Sequence, residues 1–119
     1  MLVIFIIIIS MLCASIAQVL FKIGLREVGE IQQISLSTIS SVIFNKFIDV
    51  GLLLYVISFS LWFVALSKKD LNFVYPFTGL TFAFVLLMSY FILGEKISGN
   101  VILGSALIVT GILFLSRSA

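Results

Sequence analysis

Four long stretches of this chain carry no Asp, Glu, Lys or Arg, and no other feature restricts its fold as much: 2–21, 50–67, 71–93 and 101–116. A helix rises about 1.5 Å per residue, so about 20 apolar residues cross a hydrocarbon core about 30 Å thick. The last stretch is the shortest and completes its crossing with its flanks, giving expected spans near 2–21, 50–67, 71–93 and 99–116. With 62% hydrophobic and 10% charged residues, the chain cannot clothe a water-facing surface, for which a domain normally carries about a quarter charged residues. The expected fold is all-α: one four-helix transmembrane bundle occupying 1–119, with no room for an aqueous domain.

The same scarcity excludes most soluble chemistry. There is no histidine, and the single cysteine, Cys13, lies inside an apolar run. Zinc sites, histidine-based triads and an intramolecular disulfide are thereby removed, and neither enzymatic activity, a cofactor nor a metal is expected. Seven basic residues scattered among five acidic ones make no patch for nucleic acid. Ser15 and Ala17 give the first stretch a small-x-small pattern like a signal peptide. It lacks a positive leading region and is too long for a typical apolar one, so a retained helix is the preferred reading.

Between Lys22 and Asp49 lies the one long connection, in which Ile31, Ile34, Ile39, Val42, Ile43, Phe44 and Phe47 are interleaved with serines and a threonine. This pattern predicts a short amphipathic helix lying at the membrane interface over Ile34–Phe47; an extension of the second span is the alternative. Asp70 and Ser98 or Asn100 are expected caps for the third and fourth helices. An even number of spans puts both termini on one side. That side holds Lys68, Lys69 and Arg117, against Lys22, Arg26, Lys46 and Lys96 on the other. Basic residues favour the cytoplasm, but the counts nearly balance; the working expectation is an inner-membrane protein with cytoplasmic termini.

Polar residues within the spans need a reason, because a charge at mid-bilayer costs about 2.5–3.5 kcal/mol. No span holds an acid well inside it. The first carries Ser15, Gln18 and Lys22 on one helical face, increasingly polar toward the connection. A lysine there is a point charge for a phosphate, and a glutamine can donate and accept hydrogen bonds with a sugar. Snorkelling of Lys22 to the headgroups and an interhelical bond of Gln18 explain them equally. In the third span Pro76 lies past the first turn, predicting a break or hinge, with Gly79 allowing close approach and Tyr75 reaching the same cavity or the interfacial belt. In the fourth, Gly104, Ile108 and Gly111 share a face that suits either a dimer seam or packing against the third helix.

AQVLFK at Ala17–Lys22, VYPF at Val74–Phe77 and FILGEKISGNVILGSALIVTGILFL at Phe91–Leu115 resemble the drug/metabolite transporter superfamily. The resemblance covers nearly the whole chain apart from the long connection. Small four-helix members include multidrug exporters, EamA-like half transporters and flippase subunits for aminoarabinose-phosphoundecaprenol. The exporters carry a glutamate in the first helix where this chain has Ala14, which argues against drug–proton exchange. Ala17-Gln18 and Tyr75-Pro76 resemble the flippase branch. That resemblance implies a dimer, homo or hetero, moving a polyprenyl-phosphate sugar lipid; the polar face of the first helix makes Gln18 and Lys22 the expected holders of its headgroup. A small multidrug-type exporter and a non-transporting membrane subunit are the alternatives.

Overall fold

In the computed structural model, residues 1–117 are described. They form α1 (Leu2–Val28), α2 (Leu36–Ile43), α3 (Lys46–Lys68), α4 (Leu71–Val74), a 3-10 turn (Tyr75–Thr78), α5 (Gly79–Phe91) and α6 (Gly99–Ser116). Counting α4, the turn and α5 as one span, four helices are long and apolar enough to cross a membrane. The protein is a multi-pass membrane protein.

Helix ends differ from the edges of the apolar runs. The first helix continues past Phe21 to Val28, so Lys22, Arg26 and Glu27 lie on its last turns and not in a loop. At 27 residues it is about 40 Å long, and its basic end extends beyond the hydrocarbon. The amphipathic element is shorter than Ile34–Phe47. Ser35 caps α2 by accepting from the Thr38 N–H, no residue of α2 is buried, and Leu36, Ile43 and Phe44 are exposed. A separate helix, α3, starts at Lys46, because Asn45 Oδ1 accepts from the N–H groups of Phe47 and Ile48. Asn45 also donates to the Gly24 carbonyl and to Glu27, tying the start of α3 to the end of α1. Ser98 caps α6 through the Val101 N–H. Asp70 occupies the expected cap position, but its side chain makes no capping bond.

The interior is built around α1, which packs against α3 along its length and against α5 on another face. Lipid offers no hydrophobic drive to bring helices together, so the contact depends on close packing and interhelical hydrogen bonds. Ser10 and Ser58 supply a reciprocal pair: Ser10 Oγ donates to the Ser58 carbonyl at 2.7 Å, and Ser58 Oγ to the Ser10 carbonyl at 2.8 Å. Near the other end of the seam Gly51 lies against Phe21 and the Ala17 carbonyl. These contacts fix an antiparallel register in which Ser10 is level with Ser58 and Ala17 with Gly51. Ile7, Met11, Ala65, Val74, Phe77 and Ile112 fill the core beside this seam. By contrast α6 contributes only Ser105 and Ile112 to the described interior, and its outer face is apolar and exposed.

Gly51→Val tests this seam. An added Cβ would meet the Ala17 carbonyl oxygen at 3.1 Å, and backbone cannot move aside as a side chain can. The expected cost is about 1–3 kcal/mol, read as a lower thermal midpoint in detergent. Gly111→Ala has open space around its Cβ and is expected to leave the midpoint unchanged.

Candidate functional site

A groove of about 300 Å³ runs between α1, α3 and the broken third span. Its walls come from helical stripes: Met11, Ala14 and Gln18 on α1; Tyr55, Ser58, Phe59 and Trp62 on α3; and Tyr75, Thr78 and Thr81 across the 3-10 turn into α5. Each set recurs at three- or four-residue intervals, so each presents one face of its helix. Pro76 near the start of the 3-10 turn replaces the α-helical pattern there, setting Tyr75 and Thr78 on the groove wall. Gly79 begins α5 with its α-carbon against Ile108, where a Cβ would stand 2.6 Å from Ile108 Cγ2.

The polar groups of this groove divide into two kinds. The serine and threonine hydroxyls are spent on the protein itself: Ser58 on the Ser10 carbonyl, Thr78 on the Tyr75 carbonyl at 2.7 Å, and Thr81 on the Met11 sulfur at 3.0 Å. Four other groups are unspent among the described residues. The side chains of Gln18, Tyr55 and Tyr75 make no hydrogen bond, and Trp62 Nε1 is buried without a partner. In hydrocarbon, where water does not compete, an unmade hydrogen bond costs several kcal/mol. The Trp62 ring meets Tyr75 in a T-shaped pair at 6.4 Å, so Tyr75, itself exposed, covers that end of the groove.

None of the ten lining residues is acidic or basic. A cation over an aromatic ring gains about 2 kcal/mol when desolvated, whereas an ion leaving water without a counter-charge loses several. Tyr55, Phe59, Trp62 and Tyr75 therefore make the groove suitable for an uncharged polar group more than for an ammonium.

The residues expected from sequence to share one site are distributed along the membrane normal. Gln18 and Tyr75 both line the groove, at opposite ends of it. Lys22 lies one turn beyond Gln18, in a second depression of about 450 Å³ at the end of α1 with Leu25, Arg26, Gly29, Glu30 and Ile31. Trp62 is one turn past Ser58, hence level with about residue 6 of α1, and Tyr75 is beside it. About 16 residues of helix separate that level from Lys22, or roughly 24 Å. Lys22 and Tyr75 cannot grip one sugar phosphate together. Ser15 lies outside the groove: it is fully buried and donates to the Met11 carbonyl at 2.7 Å, with the Thr81 carbonyl 3.4 Å away. In the expected seam of α6, Gly104 and Gly111 face open space, while Ile108 packs on Gly79 of the same chain.

Arg26 joins Lys22 at a four-residue interval and donates from Nη1 to the Leu93 carbonyl at 3.2 Å, beside the end of α5. Sequence reading passed over it, and over Tyr55, Ser58, Phe59 and Trp62. The available signal was their spacing, a stripe at 55, 58, 59 and 62 in an otherwise aliphatic span.

The profile of the EamA-like transporter family matches residues 45–117. A probable 4-amino-4-deoxy-L-arabinose-phosphoundecaprenol flippase subunit, ArnE, of Pseudomonas fluorescens is 34% identical over 58 residues, covering 49% of this chain and 51% of that protein. The aligned region thus spans about half the length of that relative. The probable subunit ArnF of the same flippase from Proteus mirabilis is 29% identical over 115 residues, covering 91% of this chain and 86% of that one. No solved structure matches.

Ala14 is a buried groove residue, and its substitution tests what the groove lacks. In detergent, the wild type is expected to show no saturable binding of tetraphenylphosphonium. Ala14→Glu, which adds a carboxylate, is expected to gain it. Saturable binding by the wild type would show that the aromatic walls hold a cation unaided.

Proposed function

The chain belongs to the EamA-like transporter family, a family of transporters and not of enzymes, and from that membership we propose that it is one subunit of a dimeric flippase for a polyprenyl-phosphate-linked sugar in the inner membrane. The observation that carries this reading is the continuity of two unlike surfaces on α1. Lys22 and Arg26, with Glu30 beside them, form a mouth with an excess of positive charge, and one turn inward Gln18 opens a groove of unspent, uncharged polar groups that ends at Trp62 and Tyr75. The names of the two relatives point to the same class of cargo.

In this reading the phosphate docks at Lys22 and Arg26, two cations one turn apart that suit the two unesterified oxygens of a phosphodiester anion. The sugar enters beside Gln18 and passes along Tyr55 toward Trp62 and Tyr75, over roughly 18 Å of helix. The prenyl tail stays in lipid at the open side of the groove. The 3-10 turn at Pro76, with Gly79 behind it, is the hinge that lets the Tyr75 wall move. No cation lines the groove beyond Gln18, so the charge that accompanies the phosphate farther inward has to come from a second subunit, identical or merely similar. The open glycine face of α6, Gly104 and Gly111, is the proposed contact for that subunit.

Reconstitution in liposomes with a labelled polyprenyl-phosphate sugar tests the proposal, with a similar small subunit added if the chain alone is inactive. Lys22→Ala and Gln18→Ala are each expected to slow translocation about 10-fold or more while leaving the melting midpoint unchanged, equivalent to roughly 1.4 kcal/mol per step. Equal crossing rates with and without protein would sink the flippase reading. Wild-type rates in both variants would move the site elsewhere on the chain.

A further inference from the structure

We infer that the groove selects a neutral, hydroxyl-rich sugar over an amino sugar, and that Trp62 is the residue positioning it. The inference rests on the flippase reading and adds the chemical class of the headgroup, which differs from the amino sugar in the relatives' names.

Three observations support it. The ten residues around the groove include no carboxylate, and the five acids of the chain, Glu27, Glu30, Asp49, Asp70 and Glu95, all lie near helix ends or in connections. An ammonium moving past Tyr55 and Phe59 would meet no counter-charge, only aromatic rings and neutral oxygens, which offset only part of its lost hydration. The unspent groups are an amide, two phenols and an indole N–H, drawn from three separate elements. Such a set both donates and accepts, which is what a row of sugar hydroxyls requires. Aromatic walls add flat surfaces against which the apolar face of a sugar ring can lie.

Within that set Trp62 is distinctive. Its Nε1 is a donor only, buried and unpaired, while the serine and threonine hydroxyls of the groove have found partners. Tyr75 shields the indole through their T-shaped contact. A hydroxyl oxygen reaches the nitrogen when the phenol swings away on the turn at Pro76. Binding the right headgroup thereby satisfies a donor that the empty groove leaves unmatched.

Trp62 is the one tryptophan of the chain, so its emission reports on the groove directly. The full-length protein in nanodiscs is titrated at neutral pH with two short-chain prenyl-phosphate sugars that differ by one hydroxyl-to-amine replacement. The hydroxyl form is expected to shift the emission and to saturate at least 10-fold lower in concentration than the amine form. Raising the pH until the amine is neutral is expected to close most of that gap. Equal affinities, or tighter binding of the amine, overturn the selectivity while leaving the flippase reading intact. If neither lipid shifts the emission and neither is translocated, the underlying reading itself fails. Trp62→Phe keeps a ring and removes the N–H. It is expected to lower translocation of the hydroxyl lipid at least 5-fold, and to shrink its preference over the amine lipid, at unchanged melting midpoint. Wild-type rate and wild-type preference in that variant overturn the assignment of Trp62.

Discussion

The α1–α3 seam sets everything else in this molecule. Two serine hydroxyls exchange bonds with each other's carbonyls at one level, and a glycine meets a carbonyl at another. In a solvent as apolar as the side chains themselves, such contacts provide much of the register that hydrophobic burial provides in water. The register in turn aligns the stripe at Met11, Ala14 and Gln18 with the stripe at Tyr55, Ser58, Phe59 and Trp62.

The groove gains its character from which groups the protein leaves unspent. Serine and threonine hydroxyls on its walls bond to main-chain carbonyls or to a methionine sulfur, and so contribute shape. Amide, phenol and indole groups reach farther from their backbones and remain available. The charged groups stay where α1 leaves the hydrocarbon. The proposed flippase reading rests on this separation of a mouth lined by Lys22, Arg26 and Glu30 from a passage lined by neutral groups. In that reading a second subunit supplies the missing charge, since no basic residue lines the groove past Gln18.

The four spans were legible in the sequence because charge placement reports the membrane. The helix ends were not, because a charged residue leaves hydrocarbon without leaving the helix: Lys22, Arg26 and Glu27 continue α1, and Lys46 and Asp49 open α3. Gln18, Tyr75 and Pro76 were found as exceptions within apolar runs. Tyr55 and Trp62 were missed since aromatic residues raise no alarm in a membrane helix, and their role emerges only opposite the α1 stripe. Ser15 shared a face with Gln18 and Lys22 on paper, yet a serine hydroxyl so easily bonds the carbonyl four residues back that its spacing says little about a ligand. The serine-rich connection resolved into a capped, exposed helix, and a starting helix for α3, through Ser35 and Asn45.

Whether one continuous path joins the mouth to the far end of the groove is best measured by photocrosslinking. A polyprenyl-phosphate sugar carrying a photoreactive group on the sugar is irradiated in proteoliposomes during turnover, and the modified peptides are located by mass spectrometry. The path described above predicts adducts on Gln18, Tyr55, Trp62 and Tyr75, competed away by unlabelled lipid. Adducts confined to the lipid-facing surface of α6 or to α2, with none on the α1 and α3 stripes, would contradict it.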